Sequence, residues 1–410
     1  MDKSSSSLSV AIVGAGISGL TAAIALRRQG HRVQVFEQFH RPLEIGSISI
    51  QRNAYFVIKH LGVSIENLKG VDFTGLIGFG SDNLEGNPQT WKLPEAQKDP
   101  GIFCNRKDLA DELKRLALEP SYPGEPVNLK IAKVVACDPD QGTLTLFDGE
   151  VISADLILGC DGIGSIVRTS ILGYNQKALS SGHSCFRAWF EQKQVESRSE
   201  FSWITEGISG GRFIFAANEP FRAIFINACD DGKLWNLVAI YTDDNQDNPE
   251  WSQSATKEEI VDIYKDFHPN FRKVLELPPG DSYLRWKLLS LPPLPTWTRG
   301  RAVILGDSGG ATTPYLGQGA AMAMEEGGTL GELFPPGTTV KDIPARLNAF
   351  VSLCKPRAEF VSNESVEQGI DPSKRGRYFR SEELQAYILL YDPISAAQKV
   401  LSELTGEPTA

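Results

Sequence analysis

The sequence predicts an α/β (α+β) fold in which a parallel sheet with covering helices receives an inserted antiparallel β-sheet and ends in C-terminal helices. Three observations carry this reading. A strand, a glycine turn, a helix and a second strand open the chain between Leu8 and Glu37. A strand of the same buried texture, RAVIL at Arg301 to Leu305, returns late and again runs into a glycine-rich helix. Between them lie β-rich runs separated by turn residues.

After the polar start MDKSSSS, which is expected to fray, Leu8 to Val13 reads as a buried strand, Ile17 to Gln29 as a helix closed by Gly30, and Arg32 to Glu37 as the next strand. A β-α-β unit of about 30 residues is the size at which a right-handed parallel crossover forms. Asn105 to Ala117 carries Leu109, Leu113 and Leu116 on one helical face, and Asn128 to Ile157 alternates like a hairpin that leads into a buried strand ending at Cys160-Asp-Gly. From Ser184 the runs CFRAWFE, FSWIT, GRFIFAA, FRAIFINA and LWNLVAIYT predict the inserted sheet, with turns at Asn218-Glu-Pro and Asp230-Asp-Gly. Helices are expected at Ile343 to Val361, Ser381 to Leu390 and Ile394 to Leu404.

The 410 residues exceed one typical domain of roughly 100–200 residues, so two domains or one with a large insertion are expected. Hydrophobic residues at 41% and charged residues at 22% exclude a mainly disordered chain. The net charge of −10 and the single short basic cluster Lys374-Arg375-Gly376-Arg377 argue against nucleic acid as a partner. The six cysteines are widely spaced, without Cys-x-x-Cys or a histidine at ligand spacing, which reads as free thiols in a reducing compartment and offers no metal site. Val10 to Leu26 is apolar but carries three glycines and no strong basic flank, so a strand turning into a helix explains it better than a membrane anchor. A cytoplasmic protein without membrane attachment is expected, as monomer or homodimer, and the Asn363-Glu-Ser sequon is read as a chance match.

Gly306-Asp-Ser-Gly-Gly has the letters that surround a protease serine, yet none of the five histidines lies in a base motif, and Ser308 falls in a strand-to-helix turn. A hydrolase elbow would need a histidine after the serine, and none follows His268. Gly14-Ala-Gly16-Ile-Ser-Gly19 offers a different chemistry: a tight turn, close backbone approach to a pyrophosphate, and helix N-terminal amides that favour its charge. Glu37, 18 positions past Gly19 at the end of the second strand, suits ribose hydroxyls and disfavours a 2′-phosphate. A NAD-like nucleotide or FAD is therefore expected, in a Rossmann-like domain.

Four ordered motifs make the chain resemble the single-component FAD-dependent aromatic hydroxylases, the group of salicylate hydroxylase and para-hydroxybenzoate hydroxylase, over nearly its whole length. The first is the glycine fingerprint with Glu37, and the second is Asn105-Arg106-Lys-Asp108-Leu109, whose Arg106 the resemblance places on the FAD diphosphate side. The third runs from Asp155 to Arg168 around Asp161-Gly162 and is linked in the family to FAD and NAD(P)H. In the fourth, Asp307 would accept from a ribitol hydroxyl, and Pro314, Gly317, Gln318 and Gly319 would line the flavin ring. Phe267-His-Pro, Trp286, Trp297-Thr-Arg-Gly300 and Lys355-Pro-Arg-Ala358 fall in the family's order as well. The implied organisation is a Rossmann-like FAD-binding domain over 8–180, completed by 291–361, with a substrate-binding sheet over 181–290 and a helical segment over 362–410.

The resemblance implies that NADPH or NADH reduces FAD, that O2 gives a flavin 4a-hydroperoxide, and that one oxygen enters an aromatic or polyketide-like small molecule by hydroxylation or epoxidation. Because the cofactor carries this chemistry, no catalytic triad is expected. A cation would favour phenolate over phenol or hold a substrate carboxylate, so Arg187 is the first substrate-pocket candidate, with Arg222, Tyr241 and Pro314. Phe213, Phe215, Phe225 and Trp235 suit a flat apolar substrate. Three departures stand out: Gly310 where the family has histidine, Ala321 where it often has asparagine, and a shorter loop after Glu44. The missing histidine leaves open a second reading, an FAD enzyme of this fold that oxidises, rearranges or cyclises without inserting oxygen. A flavin-free binding relic is a third, opposed by the intact glycines, Glu37 and Asp307.

Overall fold

The structure, a computed structural model, describes residues 7–40, 46–84, 88–92, 101–216, 218–244 and 252–406. The start of the chain expected to fray, through residue 6, and the first residue of the loop noted after Glu44 lie outside these spans.

The opening unit forms as its pattern requires. Ser9–Val13 and Arg32–Glu37 pair in parallel around the helix Ile17–Arg28, and Ser9–Val13 takes Leu156–Gly159 as its other parallel neighbour. Ala302–Ile304 adds to Leu156–Gly159, again in parallel, so segments far apart in sequence share one six-stranded sheet, edged by Asn128–Ile131 and the short Thr298–Arg299. The apolar character of Val10 to Leu26 follows from position: Ile17 to Arg27 are all buried, between the sheet and the helix Gly319–Leu333. Among the described residues no helix is long and apolar enough to cross a membrane. The expected hairpin is a three-stranded meander, Val134–Asp138, Thr143–Leu146 and Val151–Ser153.

A second, eight-stranded sheet is built mainly from Leu179–Glu191, Leu234–Thr242, Arg222–Cys229 and Gly211–Phe215, with Ser282–Ser290 and Ser252–Thr256 beyond the first of these. Its far edge comes from elsewhere. Gly75–Gly80 pairs in parallel with Gly211–Phe215, and Gln89–Lys92 completes the edge, so the sheet reaches outside 181–290 and is not wholly antiparallel. A small sheet of Ser47–Ile50, Ile102–Asn105 and Val71–Asp72 packs against Arg222–Cys229 of the eight-stranded sheet and the helix Gly319–Leu333.

Side chains alternate across the eight-stranded sheet, and its two faces have different partners. Phe186, Ile224, Leu237 and Tyr241 pack under Tyr264, Phe267 and Phe271 of the covering helical segments. Phe213, Val238, Ile240 and Tyr315 share the opposite side. The helix expected to end at Val361 runs on to Ile370 through Pro356. Its last turns bury Ser362, Ser365, Gln368 and Gly369, because they pack on loop backbone: Ser365 Oγ donates to Thr313 O at 2.6 Å.

Candidate active site

The glycine turn is dictated by contact. Gly14 has φ +100°, its N–H donates to Phe36 O at 2.8 Å, and a Cβ on it would lie 2.3 Å from Cys160 O. A Cβ on Gly19 would lie 2.0 Å from Gly14 O, so the helix can start only against a bare backbone. Gly16 is the opposite case: it is exposed, and a Cβ there would meet nothing within 4 Å. The helix behind it has no side-chain cap and no acid in its first turn, which leaves its amide donors and positive dipole end open to an anion. Glu37 braces the turn, since its Oε2 accepts from Ala15 N and its Oε1 from Phe39 N, each at 2.9 Å.

Arg106 and Asp307 stand close enough for their charges to interact. Asn105 caps the helix Arg106–Leu118 by accepting from Lys107 N at 2.9 Å, which sets Arg106 at its first position. Asp307 begins a short helix after Gly306, whose N–H donates to Glu326 Oε2 at 2.6 Å. The Asp307 surface is open to solvent, yet protein surrounds the side chain, as at the bottom of a narrow groove. Burial pushes its carboxyl above the ordinary range, and the Arg106 charge opposes this. Arg106 in turn is lowered by burial, held up by Asp307 and lowered further by Arg187. Arg106 thus senses both Asp307, expected on another motif, and Arg187, expected on the inserted sheet.

Gly317, at φ +64°, turns the chain into the helix Gly319–Leu333, again without side-chain cap or first-turn acid. Gln318 is buried, its Oε1 accepting from Asn53 Nδ2 at 2.8 Å while its Nε2 has no partner among the described residues. A buried amide without a partner costs stability unless a bound molecule satisfies it. The bare Gly16, the two uncapped helix starts, the sunken Asp307 and this orphaned donor fit a long phosphate-bearing cofactor with a polar ring edge, as FAD has.

Asp161 plays a more structural part. It accepts from Ser165 Oγ at 2.5 Å and from Ile166 N at 2.8 Å, capping the helix Ile166–Leu172. Ser308 Oγ donates to the same carboxylate at 3.2 Å and accepts from Gly162 N at 2.8 Å. The protease-like serine is therefore a latch between two motifs. Gly309 and Gly310 lie against the fully buried Trp297: a Cβ on Gly309 would be 3.1 Å from its ring, and one on Gly310 3.8 Å. Gly310 and Ala321 are not among the residues that line the cavity beside Pro314–Gly317.

That cavity, of about 140 Å³, opens between Pro314–Gly317 and the eight-stranded sheet. Arg187, Phe213 and Phe225 line it, as does Pro314. The Arg187 guanidinium lies 4.7 Å from the centre of the Trp286 ring, and among the described residues no carboxylate is within ion-pair distance of it. Phe215 stacks on Phe213 with ring centres 4.1 Å apart, whereas Trp235 belongs to the helix-covered face.

Arg222 and Tyr241 do not reach the cavity. They are cross-strand partners one residue out of phase with Val238 and Ile240, and alternation turns both to the covered face. There Arg222 grips Asp266, with Nη2 to Oδ2 at 2.7 Å, and donates to Ile263 O at 2.9 Å. Tyr241 stacks on Phe186 at 4.9 Å. The sequence reading missed Ser47, Ser49, Gln51, Asn227, Asn236 and Tyr315, all in the cavity wall. The signal was present for two of them, since an asparagine inside an apolar strand needs a partner or a ligand.

The sequence profile of the NAD(P)-binding Rossmann-like domain matches residues 12–60. Hispidin-3-hydroxylase of Neonothopanus nambi is 38% identical over 97% of this chain and 97% of its own. The FAD-dependent monooxygenase cfoG of Aspergillus candidus is 28% identical over 93% of this chain and 91% of its own. Among solved structures, a salicylate hydroxylase substrate complex superposes with a TM-score of 0.77 at 22% identity, covering 96% of this chain and 98% of that one.

Proposed function

Because the chain belongs to the FAD-dependent monooxygenases, we propose that it is an NAD(P)H-dependent hydroxylase acting on a flat phenolic molecule of aromatic or polyketide-like type. The observation that carries this reading is the cavity, where an arginine with no carboxylate partner among the described residues faces a small apolar space beside the Gly317–Gly319 turn. Bound FAD supplies the redox chemistry: the nicotinamide is oxidised, one atom of O2 enters the ring, and the other leaves as water.

The chain's own residues bind, orient and exclude water. The amides behind Gly16 take the pyrophosphate, Glu37 the ribose hydroxyls, and Arg106 with Asp307 the diphosphate and ribitol side. The uncapped start of Gly319–Leu333 and Gln318 Nε2 donate toward the polar edge of the ring. Arg187, held over Trp286, favours the phenolate form of the substrate, and a phenolate oxygen raises electron density at the carbons beside it. Phe73, Phe103, Phe213 and Phe225 keep the space dry, so that this charge interaction is felt at low dielectric. The non-hydroxylating alternative rests on the missing histidine alone, and Gly310, which stands in its place, is not among the residues that line the cavity.

The test is anaerobic reduction of the purified holoenzyme by NADPH and by NADH, with hispidin, salicylate and simple phenols added in turn. The reading expects one phenolic compound to hasten bleaching of the flavin bands, and ¹⁸O from labelled O2 to appear in its product. Substrate-dependent oxidation without ¹⁸O in the product would replace it with the non-hydroxylating alternative.

A further inference from the structure

The strands Arg222–Cys229 and Leu234–Thr242 form a largely apolar hairpin, and in its middle two asparagines stand opposite each other as register partners, Asn227 and Asn236. They are 0% and 3% exposed, and both line the cavity. A buried primary amide is costly unless its donors and acceptor are used, so the direction of each amide matters.

That direction is fixed from the backbone outward. Asn227 Nδ2 donates to Ala228 O at 3.2 Å and to Ser47 Oγ at 2.8 Å, which leaves Asn227 Oδ1 as an acceptor. Asn236 Nδ2 donates to this Oδ1 at 3.0 Å. Asn236 Oδ1 is therefore the left-over acceptor, with no partner among the described residues. Asn236 also has a fixed relation to Arg187. Arg187 is paired with Val238, two residues along the same strand and on the same face, and such diagonal neighbours lie roughly 7–8 Å apart.

We propose that Asn236 is a specificity-determining residue whose Oδ1 accepts from a substrate hydroxyl other than the oxygen held by Arg187. Asn227 acts as its positioning residue. The inference rests on the hydroxylase reading and narrows it: the substrate class is an aromatic ring carrying two separate oxygen substituents, one anionic and facing Arg187, the other a hydroxyl donor facing Asn236. A site built to bond a hydroxyl discriminates strongly against the analogue that lacks it, because the amide is then left buried and unpaired.

The experiment uses matched probes, resorcinol against phenol and orcinol against m-cresol, and measures kcat/KM for NADPH oxidation together with FAD content and Tm. Wild type is expected to prefer the dihydroxy member of a pair by about tenfold or more. Asn236→Leu brings that ratio near one at unchanged FAD content, with a lower Tm because Asn227 Oδ1 loses its donor, and Asn236→Ser, which keeps an acceptor oxygen, retains part of the preference. Arg187→Met weakens both members alike. A wild type that treats the members equally, or an Asn236→Leu enzyme that keeps the preference or loses both members in proportion, overturns the proposal alone. A wild type whose flavin reduction responds to no phenol overturns the hydroxylase reading and the proposal with it.

Discussion

The phenolic oxygen of Tyr315 lies 2.8 Å from Nδ1 of His183, and this hydrogen bond joins the loop before Gly317 to the strand that carries Arg187. Burial, reinforced by the Arg375 charge and opposed by Glu219, lowers the His183 pKa to about 4. The imidazole is then neutral, and one hydrogen bond joins its Nδ1 to the Tyr315 hydroxyl, which burial keeps protonated. Tyr315→Phe leaves Nδ1 without that partner and is expected to cost on the order of 1–3 kcal/mol in urea unfolding, with a higher KM for the substrate.

His183 also makes the fold acid-sensitive. Its folded pKa lies below the ordinary 6.5, so the unfolded chain takes up the proton first. Stability from this group is intact above about pH 6.5 and is lost as pH falls toward about 4. Urea midpoints measured across that range should fall less steeply for His183→Asn than for wild type.

Glu326 has the opposite sign. Burial pushes its carboxyl up to about 8 against the pull of the Gly306 N–H, with Glu325 and Asp307 adding to the rise. Because the folded state holds this proton more tightly than the unfolded chain, stability falls as pH rises from the ordinary carboxylate range toward 8. Glu326→Gln removes the titration, and its Tm between pH 5 and 9 should decline less than that of wild type.

Gly14 and Gly16 separate folding from cofactor binding. Gly14→Ala sets a methyl 2.3 Å from Cys160 O at a positive φ, so it should lower Tm even without FAD. Gly16→Val points into open space, so the apo-protein should melt like wild type while FAD content after purification drops sharply.

Asp307→Ala should weaken FAD retention by about tenfold or more, with the circular dichroism spectrum preserved. Asp307→Asn keeps an acceptor and should lose less. Unchanged FAD content in the alanine variant would remove Asp307 from the cofactor site.

For Arg187→Met, KM for a phenolic substrate should rise roughly 10- to 100-fold at unchanged FAD content. The variant should also bind better at higher pH, where the phenol ionises without help. Equal KM values would place the substrate elsewhere.

The parallel core was legible because each of its parts is enforced locally: glycines where backbone meets backbone, and short apolar strands before them. The cavity was less so. Arg187, Arg222 and Tyr241 are alike as letters on strands, and only the register, Arg187 with Val238 and Arg222 with Tyr241, decides which face each one serves. Gly75–Gly80 and Gln89–Lys92 carry no mark in sequence of the distant strand they join. The turns from Ser362 to Ile370 lack an apolar stripe because they pack on backbone, which polar side chains satisfy better.

The borrowed edge of the eight-stranded sheet bears on how this protein can be engineered. A graft that exchanged only 181–290 for the matching stretch of a relative would remove Gly211–Phe215 and leave Gly75–Gly80 to pair with a strand taken from another sheet. The transplantable unit is discontinuous and must carry 75–92 along with the insertion. Chimeras cut at the obvious sequence borders should aggregate, whereas those that move both pieces together should recover a new substrate range on the old cofactor scaffold.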